Sequence, residues 1–254
     1  MLKKSFLVIP AISILLAASC AKEGPSGPTG PAGPSFTGTV TGDVSLYDKY
    51  GSNVLTGLLN LVNISMSSKT IAAISTAIDS NGLYTYVNVV TGTYTISANA
   101  DSDYAGTVLS NVNFVSGTLY QDIKLSAIPD SFITSFASYL NTGSLTDSLA
   151  LTVKSDARER NCIVFLSKAK TVSNDPNFYL LKYRIDIPGS TNTVAFTIPQ
   201  QDLLDAGFTS GSKVFYAAYS YVVNDGSVYE DPTTGRNIYN AVNATPIVDS
   251  ALVP

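Results

Sequence analysis

Apolar and polar residues alternate with a period of two along most of the chain after residue 36. The alternation is clear over residues 39–47, 93–98, 145–153 and 193–198. This period places successive side chains on opposite faces of an extended strand, so it indicates half-buried β-strands. Turn-forming stretches such as 79–82, which contains Asn-Gly, separate the strands. The pattern therefore predicts an all-β protein built of sandwiches.

Further strands are predicted over residues 59–66, 163–166, 178–185 and 214–222. One segment, 199–207, has a different signature, because it begins with Pro and ends with Gly. Pro is favoured at the start of a helix and Gly just past its end, so we expect a short helix here.

Residues 36–129 resemble a carboxypeptidase regulatory-like domain. The resemblance rests on short motifs with structural roles: Gly38–Gly42, Leu46–Gly51, Asp79–Tyr84, Thr91–Ile96 and Ile123–Leu125. It implies a small prealbumin-like β-sandwich, in which Gly forms turns while Tyr and Ile enter the core. Members of this family serve as spacers, as folding partners of neighbouring domains or as surface modules, and the motifs bring no catalytic residues.

Residues 130–254 loosely resemble an immunoglobulin-like or fibronectin type III module. Pro129 interrupts the chain between the two parts, and 210–212 form a turn signal before a Tyr-rich strand. We therefore expect two tandem β-sandwich domains, 36–129 and 130–254. The halves show no convincing internal repeat.

The amino terminus has the organisation of a secretory signal peptide. Lys3 and Lys4 precede an apolar run, Ser5–Ala18, which is shorter than the roughly 20 residues that a membrane-spanning helix needs. Leu16–Cys20 resembles a lipobox, although Ala17 stands where Leu is commonest. The resemblance implies that residues 1–19 are removed and that Cys20 is lipidated. Two or three acyl chains would then anchor the protein stably in a membrane.

Residues 20–35 follow as a tether in which Gly recurs at every third position of a collagen-like run. So short a run favours stiff polyproline II structure over a triple helix, and it could reach roughly 45 Å. The tether resembles the spacers of lipoproteins displayed by Gram-negative cells. We expect a lipid-anchored envelope protein at the outer membrane, either exposed on the cell surface or on the periplasmic face.

Composition argues against most enzyme classes. The chain has no His, so it lacks the commonest general base and zinc ligand. If Cys20 carries lipid, Cys162 has no disulfide partner, and its apolar surroundings suit a buried hydrophobe better than a reactive thiol. Of the 15 basic residues, Lys3 and Lys4 leave with the signal peptide, so 13 oppose 19 acidic residues, a net charge of −6. This charge argues against nucleic acid as a partner.

The stretch from 225 to 236 concentrates acids, turn formers and a cation: Asp225, Tyr229, Glu230, Asp231 and Arg236. One interpretation is a ligand-binding loop, which holds calcium through its three acids or a sugar stacked on Tyr229. The other is a hairpin with Asx-turns and a solvated ion pair. Calcium takes six to eight oxygen ligands, and no EF-hand-like spacing is present, so we predict neither a metal nor another cofactor.

Three function hypotheses remain. The first is a non-enzymatic structural or binding module, which contacts an envelope protein or glycan. The second is a carbohydrate-binding lipoprotein that assists glycan uptake at the outer membrane. The third is a hydrolase with two carboxylates, which does not need His, but no recognisable pair of acids supports it.

Overall fold

We describe the protein from a computed structural model, which defines residues 36–54, 59–141, 146–223 and 228–254. The predicted signal peptide, Cys20 and the predicted tether lie outside these residues. Ten strands come first: β1 (Thr37–Tyr47), β2 (Asn53–Val54), β3 (Asn63–Ser67), β4 (Ile74–Thr76), β5 (Leu83–Val90), β6 (Gly92–Asn99), β7 (Tyr104–Ala105), β8 (Thr107–Phe114), β9 (Gly117–Tyr120) and β10 (Ile123–Ala127).

The second half contains nine strands and one short helix within the described residues. These are β11 (Ile133–Asn141), β12 (Thr146–Val153), β13 (Arg160–Ser167), β14 (Leu181–Ile187), β15 (Thr193–Pro199), α1 (Gln200–Asp205), β16 (Lys213–Tyr221), β17 (Val228–Glu230), β18 (Asn237–Tyr239) and β19 (Ile247–Leu252). The predicted all-β sandwich class is therefore confirmed. The joint predicted after residue 129 falls between β10 and β11.

The N-terminal sandwich packs a six-stranded sheet on a four-stranded one. Strand β1 is the centre of the larger sheet, since it pairs with β2 and β5 antiparallel and with β9 and β10 parallel. The smaller sheet has the order β4-β3-β6-β8. Gly38 lets β9 approach, because a Cβ at this position would lie 2.0 Å from the carbonyl oxygen of Gly117.

The core between these sheets contains residues that the domain resemblance assigns to it. Tyr84 and Ile96 are fully buried, beside Val40, Ile64 and Leu125. The turn before Tyr84 is fixed by Asp79, whose carboxylate accepts hydrogen bonds from two backbone N–H groups at 2.9 Å, and by Gly82 at φ +92°. The positive φ explains the need for Gly.

The C-terminal sandwich packs the sheet β11-β12-β15 on the sheet β14-β13-β16-β19. Inward side chains such as Leu151, Val164 and Tyr216 fill the space between them and are fully buried. Helix α1 confirms the short helix expected over 199–207, and Gly207 follows it at φ +84°.

Two predicted strands begin later than expected. Residues 59–61 form a single 3₁₀ turn before β3, and β14 starts at Leu181 rather than 178. In the second case the chain crosses the outer face of β13, and Tyr179 packs down on Phe165 with ring centroids 4.9 Å apart. The alternation along 178–185 therefore spans two elements: a segment that covers the sheet, and strand β14, which follows it.

The outer face of β13 and β16 carries a second core, which we call the aromatic cover. Phe165 lies at its centre, fully buried, with the rings of Tyr179, Tyr219 and Tyr239 within 6 Å. Because Tyr239 belongs to β18, the cover holds the β17–β18 hairpin against the sheet. Thus the two central strands of this sheet, β13 and β16, are covered on both faces.

Candidate functional site

The sequence-predicted loop is a small hairpin formed by β17 and β18. Tyr229 pairs with Ile238, and Glu230 with Asn237. Its turn is closed by two backbone hydrogen bonds between Asp231 and residues 235–236, each 2.8 Å long. Asp225 lies outside the described residues.

Asp231 holds the turn of this hairpin. Its carboxylate accepts hydrogen bonds from the Thr234 hydroxyl at 2.6 Å and from the backbone N–H groups of Thr233 and Thr234 at 3.2 Å. These bonds, led by the Thr234 hydroxyl, lower the pKa of the Asp231 carboxyl, since they favour its charged form. The contacts are those of an Asx-turn.

Arg236 attaches the hairpin to the rest of the C-terminal sandwich. Its guanidinium lies over the ring of Tyr179, 4.2 Å from the centroid, and it donates a hydrogen bond to the Pro176 carbonyl. The Tyr179 hydroxyl in turn donates to the Asn237 carbonyl at 2.6 Å. The Arg236 side chain is thus held by contacts within the protein.

Tyr229 and Glu230 face a groove of about 560 Å³, with Val228 and Pro232 beside them. We call it the hairpin groove. Tyr229 is half-buried, and its burial together with the nearby Asp231 carboxylate raises the pKa of its phenol. The phenol therefore stays neutral near pH 7 and can both donate and accept a hydrogen bond.

The opposite wall of the hairpin groove comes from the N-terminal sandwich. Strand β8 contributes residues 108–113, and Leu119 and Gln121 complete the wall. Its polar side chains include Ser110, Asn111, Asn113 and Gln121. Sequence analysis missed this wall. The one local signal was two Asn residues inside a strand, where Asn is disfavoured; Asn111 takes φ 59°.

Direct contacts hold the two walls together. The side-chain amide of Asn240, just after β18, donates to the carbonyl of Gly106, just before β8. Ala105 packs with Val222 and Ala241 in a small buried cluster. The groove is therefore shaped by both sandwiches and needs both to exist.

The structure also places Cys162 and bears on possible metal sites and membrane-spanning helices. Cys162 is fully buried in the C-terminal core, and burial raises the pKa of its thiol. Within the described residues, no three or more Cys, Asp or Glu side chains are grouped so that they could hold a metal ion. No helix among those residues is long and apolar enough to cross a membrane.

Comparison with known proteins gave distant structural matches only. A Bacteroides uniformis protein thought to bind carbohydrate has 15% identity and a TM-score of 0.33, over 84% of this chain and 99% of the other. A DUF3823 family protein from Bacteroides uniformis has 16% identity and a TM-score of 0.31, over 87% and 100% of the two chains.

A second DUF3823 family protein, from Parabacteroides merdae, has 15% identity and a TM-score of 0.26, over 85% of this chain and 100% of the other. No protein-family model matches the chain, and none of the curated proteins does. Identities and TM-scores this low carry no function across, so the functional argument rests on the residues of this chain.

Proposed function

We propose that this chain is a non-enzymatic binding module of a bacterial envelope, which is anchored in the outer membrane by acyl chains on Cys20 and displayed at the cell surface. In this proposal the module binds a neutral polysaccharide in the hairpin groove. The observation that carries the binding proposal is the composition of that groove. One aromatic side chain, Tyr229, lies across from amide and hydroxyl side chains of β8. Most ligand sites combine apolar surface with a few placed polar groups in this way.

Sugars match this combination chemically. A sugar ring has an apolar face that can lie on a Tyr ring, and hydroxyl groups that both donate and accept hydrogen bonds. Asn111, Asn113 and Gln121 offer donors and acceptors without charge. The exposed Glu230 is the acid at the groove, and a lone carboxylate does not form the pair that glycoside hydrolysis uses.

The anchor and the domain families form the finer part of the proposal. The signal-like segment 1–19, the lipobox-like Leu16–Cys20 and the Gly-Pro tether support attachment and display. The buried Tyr84 and Ile96 and the Gly82 turn support a carboxypeptidase regulatory-like identity for 36–129. The antiparallel two-sheet arrangement of 130–254 supports an immunoglobulin-like module there.

Truncation of Tyr229 is expected to weaken polysaccharide binding about tenfold, because aromatic anchors supply a large share of interface energy. The full chain, kept in non-ionic detergent, would be run in affinity gels that contain dextran, xylan or galactomannan. We expect retardation of the wild type in at least one gel, and reduced retardation of Tyr229→Ala and Asn113→Ala. Asn113 is preferred to Asn111 for substitution, since Ala would be strained at φ 59°.

Tyr139→Ala is the matched control. Tyr139 is 58% exposed on β11, in the sheet β11-β12-β15, which does not line the hairpin groove. This variant should bind as the wild type does. No retardation in any gel would contradict a polysaccharide ligand, and equal retardation of Tyr229→Ala would remove the hairpin groove as the site. Release of reducing ends that Glu230→Gln abolishes would overturn the non-enzymatic assignment.

A further inference from the structure

A second cavity, of about 480 Å³, lies where the two sandwiches join. We call it the junction cavity. It is lined by residues 129–132 between β10 and β11, by 49–50 after β1, by 154–156 after β12, and by Arg160 at the start of β13. It shares no lining residue with the hairpin groove.

Arg160 is unusual among the residues of this cavity, because it is a charged residue that is only 6% exposed. One guanidinium nitrogen, Nη2, donates to the Lys154 carbonyl at 2.6 Å, and the group lies over the Phe132 ring, 4.6 Å from its centroid. Its Nε is buried and has no hydrogen-bond partner. A buried N–H without an acceptor is unfavourable by about 1–3 kcal/mol.

The carboxylates at the junction are already paired with other cations. Asp130 forms an ion pair with Lys49. Asp156 accepts a hydrogen bond from the Tyr50 hydroxyl at 2.9 Å and pairs with Arg158 at 3.4 Å.

Two cations of the cavity therefore remain without a carboxylate. Lys154 donates to the Ser131 carbonyl at 3.0 Å, and Arg160 to the Lys154 carbonyl. Within the described parts of the chain, neither forms an ion pair with an acid.

We propose that the junction cavity binds an oxyanion group, a carboxylate or a sulfate, between Arg160 and Lys154. Such a group would place a negative charge beside two cations that have no carboxylate partner among the described residues. Arginine suits this ligand, since its planar fork of N–H donors matches the spacing of two anion oxygens. The oxyanion can be free or can belong to an acidic sugar such as a uronic acid.

The test observes Arg160 directly. The chain contains four arginines, Arg158, Arg160, Arg184 and Arg236, so the side-chain Nε–H region of a proton–nitrogen NMR spectrum holds four signals. Replacement of the other three by Lys, one at a time, assigns the Arg160 signal without altering Arg160. The full chain in detergent would be titrated at constant ionic strength with sodium sulfate, sodium glucuronate and, as the neutral control, glucose.

We expect a saturable shift of the Arg160 signal with at least one anion and none with glucose. The Arg184 signal should stay in place, since Arg184 is exposed and pairs with Asp186. Saturation by sulfate at lower concentration than glucuronate indicates a free inorganic oxyanion, and the reverse order indicates an acidic sugar. An Arg160 signal that neither anion moves, or that moves only in parallel with Arg184, overturns the proposal.

Matched variants give a second readout. Lys154→Met should weaken binding of the anion about fivefold, as expected for the loss of one nearby charge. Lys213→Met removes an exposed charge on β16 and should leave the titration unchanged. Equal binding by wild type and Lys154→Met would contradict a site between these two cations.

Discussion

Replacement of Cys20 by Ser is expected to abolish lipidation, processing of the leader and retention in the outer membrane together. A hydroxyl cannot take the place of the thiol that receives the first lipid, and without acyl chains the chain has no lipid anchor in the outer membrane. Each buried CH₂ contributes about 0.8 kcal/mol to membrane binding, so loss of two or three chains removes the anchor entirely. Radiolabelled palmitate incorporation measures lipidation, and membrane fractionation measures retention.

The second cysteine of the chain provides the control. Cys162 is fully buried in β13, and Cys162→Ala changes its volume little. That variant should incorporate palmitate and sediment with membranes as the wild type does. Palmitate entering the Cys20→Ser protein as efficiently as the wild type would contradict the proposed anchor.

Replacement of Phe165 by Ala is expected to lower the free energy of unfolding by about 3–5 kcal/mol, the range for loss of a buried Phe from a packed core. Phe165 contacts three tyrosine rings in the aromatic cover, and each edge or tilted ring pair adds about 0.5–1.5 kcal/mol beyond area burial. Since Tyr239 is one of these rings, the hairpin that carries Tyr229 should loosen as well. Urea unfolding of the full chain measures the stability.

Phe178→Ala is the comparison for this change. Phe178 is 45% exposed in the same covering segment, so its truncation should alter the free energy of unfolding by less than about 1 kcal/mol. Equal destabilisation by the two substitutions would show that the aromatic cover is not the packed unit described above. At urea concentrations below the unfolding midpoint of Phe165→Ala, polysaccharide binding should be weaker in this variant and unchanged in Phe178→Ala.

Much of the fold could be predicted from local sequence pattern. Alternation located β1, β6, β12 and β15 to within about two residues, because one face of each strand meets a core and the other does not. The apolar, Tyr-rich run 214–222 located β16, which is buried on both faces. The Pro-to-Gly signature located α1. Pattern failed where burial is irregular, as before β14, where residues 178–180 cover the sheet instead of joining it.

The candidate sites were predictable only in part, because they depend on contacts distant in sequence. The turn residues and acids of 225–236 indicated a hairpin as one of two interpretations. Nothing local indicated that Tyr229 would lie against β8, more than a hundred residues earlier. Arg160 likewise follows a polar stretch, 154–159, and its burial against Phe132 is visible only in the folded chain.

The most direct test of the central claim maps where a bound polysaccharide contacts the protein. Hydrogen–deuterium exchange of the full chain would be measured with and without a saturating amount of the neutral polysaccharide that binds in the affinity gels. Binding in the hairpin groove predicts slower exchange over residues 107–121 and 228–237, with little change in the other peptides. Protection confined elsewhere, for example to residues 67–71 and 90–95 of the neighbouring groove, which meets the hairpin groove at Asn111, would contradict the account.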